Sequence, residues 1–87
     1  MDIYIVRWID YEEQWIQGVW GTQYAAVNQA QKLAGPENKI VWNDLTGVRS
    51  YEVSKVKLNT AVGDTYGDDM KVVCWIPDPD HRYGSKQ

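Results

Sequence analysis

The chain has no phenylalanine, one cysteine and one histidine in 87 residues, and each scarcity excludes something. Cys74 alone forms no internal disulfide, and a single free thiol fits a reducing compartment. With only His81 beside it, a structural zinc site of cysteines and histidines is excluded. A Ser–His–Asp or Cys–His mechanism needs an imidazole held beside its nucleophile, and His81 sits among Pro77, Pro79 and Gly84. No apolar run approaches the ~20 residues of a membrane helix. The start, "MDIYIVRW", lacks the basic and apolar regions of a leader, so no signal peptide is predicted and a cytoplasmic location is expected. Positive charge is also in short supply. Net charge is -3, which argues against a general nucleic-acid binder. There is no internal repeat, and "GVWG" lacks the spacing and the lysine of a phosphate loop.

What the chain does have is five tryptophans and six tyrosines. Its length predicts one domain, residues 1–76, followed by a flexible tail over 77–87. Residues 2–9, "DIYIVRWI", alternate as a strand with apolar groups on both faces, the pattern of a central strand. "DYEEQ" is a polar turn, and "WIQGVWG" returns as an antiparallel strand in which Gly18 marks a bulge or a close backbone approach. Thr22 is a helix N-cap, "QYAAVNQAQKLA" carries a stripe of Ala26, Val27, Ala30, Leu33 and Ala34, and Gly35–Pro36 stops it. "KIVWN", 39–43, reads as a third strand and "VRSYEVSKVKLN", 48–59, as a fourth. The parity of Tyr51 and Val53 conflicts with that of Val56 and Leu58, which predicts a β-bulge near Ser54–Lys55. "MKVVCWI", 70–76, is a fifth strand. The predicted fold is therefore α+β, in the order ββαβββ, with one helix packed on a four- or five-stranded antiparallel sheet. Trp20 and Trp42 are assigned to its core, because tryptophan buries the most area per residue.

The polar clusters are weak as chemistry. Asp64, Asp68 and Asp69 in "GDTYGDD" offer oxygen ligands, but the spacing is not that of an EF-hand, so a solvated loop is expected and no metal or cofactor. Glu12 and Glu13 beside Asp10 occupy a turn, where solvent keeps carboxyl groups ordinary. Arg49, Tyr51, Lys55 and Lys57 share a segment; alternation favours a wet edge strand over a nucleic-acid face. No nucleophile–base pair is visible, and an enzyme is not expected.

One helix covers one face of a sheet, so aromatics are left over. The uncovered face is expected to present some of Tyr4, Trp8 and Trp15, and such patches mark interfaces. Gly18, Val19, Trp20, Thr22, Ala25, Ala26, Ala30, Tyr51 and Val53 define a strand ending in "GVWGT", an alanine-rich helix and a "YEV" element. On those residues the stretch 3–58 resembles small accessory proteins of bacteriophages. Some proteins of similar size and layout, including anti-CRISPR proteins, bind and block host defence machinery. The resemblance implies a non-enzymatic inhibitor, acting in the host cytoplasm, that occludes a host protein. Its expected contacts are Trp8, Tyr11 and Trp15, with Asp64, Tyr66, Asp68 and Asp69 from the long loop. Two alternatives stand beside it. One is a nucleotide-signal sponge with a pocket at a homodimer seam, where Tyr51, Arg49 and Lys55 hold the ligand. The other is a self-associating virion or assembly component.

Overall fold

The computed structural model describes residues 2–11, 13–45, 49–57 and 70–78. Glu12, Leu58, Asp64, Tyr66, Asp68, Asp69, His81 and the chain from 79 onward lie outside the described residues. Four strands and one helix follow in the order β1 (Asp2–Ile9), β2 (Gln14–Trp20), α1 (Gln23–Ala34), β3 (Ser50–Lys57) and β4 (Met70–Pro77). The strands form one antiparallel sheet in the order β2-β1-β3-β4, with α1 packed across it, so the fold is α+β. The central position of β1 accounts for its two apolar faces.

The helix follows its sequence signals closely. The Thr22 hydroxyl accepts the Ala25 N–H at 3.2 Å, satisfying a donor that the first turn leaves free. At the other end Gly35 takes φ 110 and donates its N–H to the Gln31 carbonyl at 2.8 Å. Ala26, Ala30 and Ala34 are the buried residues of the helix. They pack with Val6, Val53, Cys74 and Ile76, which the register places on one face of the sheet. Burial of Val6, Val53 and Ile76 contributes about 1.5–3 kcal/mol each. Trp20 lies against this core from the β2 side.

The irregularity expected at Gly18 is present, and the β-bulge expected near Ser54–Lys55 of β3 is not. Between Val6/Arg7 the pairing of β1 with β2 slips by one residue, leaving Gln17 extra beside Gly18. The backbone at Gly18 is also closely approached: a Cβ there would lie 2.4 Å from the Trp20 ring. The second slip lies between Val53 and Ser54, but the extra residue, Val73, belongs to β4 rather than β3. Pairing of β3 with β1 is regular throughout, and β3 reconciles Val53 with Val56 by being buried on both faces.

Four expectations are corrected. The segment 39–43 is not a full strand; Val41 makes a single bridge with Trp75 on the outer edge of β4, with N···O distances of 2.8 and 3.0 Å. Trp42 is not core but 58% exposed. β3 is interior rather than an edge, so Lys55 is not an edge guard. Pro77 and Asp78 belong to the folded unit, since Pro77 ends β4 and Asp78 is buried.

Candidate functional site

The site starts from register. Trp8 of β1 lies opposite Trp15 of β2 and opposite Tyr51 of β3, so one row of rings crosses three adjacent strands on a single face. It is the same face that carries α1, because Trp8 shares parity with Val6 and Tyr4. This overturns the expectation that the helix-free face presents Tyr4, Trp8 and Trp15. The far face carries Ile3, Ile5 and Ile9 of β1 instead, with an ion pair between half-buried Arg7 and buried Glu52. The Ser54 hydroxyl donates to the same Glu52 oxygen at 2.7 Å. A carboxylate in that setting requires several donors to offset its lost hydration.

Trp8 and Trp15 stand outside the hydrophobic core beneath the helix. Trp8 is half-buried, and its indole N–H donates to Asp78 Oδ2 at 2.9 Å. Trp15 is 57% exposed, with its indole N–H directed to Glu13 Oε1 at 3.2 Å. The turn after β1 adds Tyr11, 76% exposed. The guanidinium of Arg49 stands 5.8 Å from the Tyr11 ring centroid, within cation–π range. Its Nε donates to Asp10 Oδ1 at 3.1 Å, and the Tyr11 N–H donates to the same oxygen at 2.7 Å.

Arg49 also has φ 59, the only positive φ at a non-glycine among the described residues. That conformation costs of order 1 kcal/mol and persists where its surroundings hold it. Here the Arg49 carbonyl accepts the Asp78 N–H at 2.8 Å while the side chain is fixed at Asp10 and Tyr11. Asp78 thus ties the Trp8 ring to the turn that carries Arg49. The result is an aromatic patch of Trp8, Trp15 and Tyr11 bordered by the carboxylates of Asp10, Glu13 and Asp78.

Of the expected contact residues, Trp8 and Trp15 come together, while Tyr11 stands in the following turn with its ring under Arg49. The alternative set does not. Tyr51 and Arg49 lie at the aromatic end, whereas Lys55 is four residues beyond Tyr51 along β3, about 13 Å away at strand rise. Lys55 pairs there with Asp2 at 3.4 Å. The contributions of Asp10, Glu13 and Asp78 were missed by sequence reasoning. A signal existed in the first two, because an acidic turn joining two tryptophan-bearing strands must border their rings. Asp78 had none, being 70 residues from Trp8.

The patch offers flat apolar area with hydrogen-bonding edges. No group of three or more His, Cys, Asp or Glu able to hold a metal ion occurs among the described residues. No helix among them is long and apolar enough to cross a membrane. No protein-family model, curated protein or solved structure matches the chain.

Proposed function

We propose that this chain is a non-enzymatic, phage-type accessory protein that docks through its aromatic patch on a host protein and blocks it by occlusion, a defence component being the intended target. The observation that carries the reading is the adjacency of Trp8 and Trp15, with Trp15, and Tyr11 in the adjoining turn, left largely exposed. Tryptophan and tyrosine dominate binding hot spots because they bring large rigid area at small entropic cost. Glu13 gives the rim beside Trp15 a carboxylate and favours a partner with a basic group next to an apolar centre, whereas Asp10 is matched by Arg49 and Asp78 is buried. The nucleotide-sponge alternative is less well supported, since Arg49 is engaged by Asp10 and Lys55 stands at the other end of β3.

The test is capture from bacterial lysate with tagged wild type and with the variant Trp15→Ala, Tyr11→Ala. Wild type is expected to retain one stoichiometric protein, and the variant to weaken that retention by at least about tenfold, as loss of a hot spot does. Equal retention by both proteins removes the patch from consideration.

A further inference from the structure

The two edges of the sheet are built differently. On β4 the outer edge is interrupted by the Val41 bridge, carries Lys71 and ends at Pro77, all features that discourage further strand pairing. Among the described residues β2, "QWIQGVW", has no bridge, charge or proline, and its one irregularity is the bulge at Gln17–Gly18. Among them, too, no backbone hydrogen bond reaches it from the side away from β1. Ile16 is 66% exposed and Val19 53% exposed along that edge.

The bulge gives this edge a further property. In a regular strand residues three apart lie on opposite faces. Here Ile16 pairs with Arg7 and Val19 with Ile5, so the extra residue Gln17 puts Ile16 and Val19 on the same face. Trp15, opposite Trp8, and Trp20, opposite Tyr4, share the other face. The pattern of faces is therefore symmetric about the Gln17–Gly18 junction. Isologous contacts require this property, because residue i must meet j while j meets i.

We propose that β2 pairs antiparallel with β2 of a second copy of this chain, about a two-fold axis at Gln17–Gly18, joining two four-stranded sheets into one of eight strands. Ile16 then lies opposite Val19 of the second copy, and Trp15 opposite its Trp20. The guarded β4 edge ends the assembly at two chains. A two-fold perpendicular to the sheet keeps faces together, so both aromatic patches lie on one side of the dimer. The seam shares Trp15 with the docking patch, but its test substitutes only Ile16 and Val19, which are on the other face, so failure of one reading is distinguishable from failure of the other.

Sedimentation equilibrium of the full chain tests it. Wild type is expected at twice the 10.1 kDa of one chain, and as a monomer after the double substitution Ile16→Lys, Val19→Lys, with an unchanged circular dichroism spectrum. Mixing that variant with Ile16→Glu, Val19→Glu restores the dimer, since opposite charges then face each other across the axis. Should the lysine variant fail to fold, Gln17→Cys gives a second readout: it cross-links on oxidation, whereas Gln14→Cys, far from the axis, does not. A wild type that stays monomeric up to about 1 mM overturns the proposal, as does a dimer indifferent to the lysines or a cross-link equally efficient at both cysteines.

Discussion

At the scale of single residues, Cys74 shows what close packing does to chemistry. Its side chain is fully buried opposite Val53. Exclusion of water from the thiolate pushes its pKa from 9.0 up to about 11. The folded thiol therefore holds its proton while the unfolded one ionises near 9.0. Deprotonation favours the unfolded chain, so this group's effect is a loss of stability as pH rises from about 9 towards 11. Urea denaturation of wild type and Cys74→Ala at pH 8 and pH 10.5 isolates it. Wild type is expected to lose ~1–2 kcal/mol more than the variant across that interval, which lies within the limit of about 1.4 kcal/mol per pH unit for one proton. Parallel losses would refute a buried thiol. Residue type alone did not place every large side chain. Trp42 and Trp20 look alike in sequence, yet one is exposed and the other packs on the core. The difference lies in partners: Trp20 ends β2 and is itself paired with Tyr4, whereas Trp42 follows a single bridge.

At the scale of elements, local signals were read well and pairing was not. Thr22 and Gly35 bracket the helix at the residues their capping chemistry demands, because that information is contained within one turn of chain. Gly18 marked a bulge and a close approach, and both occur, since only glycine leaves room for the Trp20 ring. That fit makes a prediction. Gly18→Ala drives a methyl into the ring, which must swing off the core, and thermal denaturation is expected to show a loss of about 1–3 kcal/mol. The segment 39–43 has the alternation of a strand but pairs only at Val41. The parity conflict in β3 was likewise real, but a strand covered on both faces absorbs it without a bulge of its own. Neither outcome is legible in one segment, because each depends on what the neighbouring strand offers.

At the scale of the whole molecule, strand order decides which faces meet. The order β2-β1-β3-β4 places a segment from the middle of the chain beside its beginning, and this brings Arg7 to Glu52. Alternation could identify two faces on β1 but not the one that receives the helix, so the aromatics were assigned to the wrong side. The patch itself was partly legible, since Trp8, Tyr11 and Trp15 are neighbours through a short turn. Its loop half, Asp64 to Asp69, lies outside the described residues. The Arg7–Glu52 pair couples the two central strands. Glu52→Ala leaves the half-buried Arg7 guanidinium with Gln14 alone and is expected to cost ~1–3 kcal/mol, while Glu52→Leu combined with Arg7→Met is expected near wild-type stability. Chemical denaturation of the three proteins distinguishes a costly unpaired charge from a stabilising bridge.

The alanine stripe of α1 has a consequence for divergence. Ala26, Ala30 and Ala34 are the fully buried contacts of the helix, with Val27 packed beside them, so a larger side chain at any of the three lifts the helix from the sheet. The rings that face outward carry no such restriction. Under selection for a changing partner, the conspicuous tryptophans are free to drift and the three inconspicuous alanines are not. Descendants of this chain would be recognised by their smallest side chains.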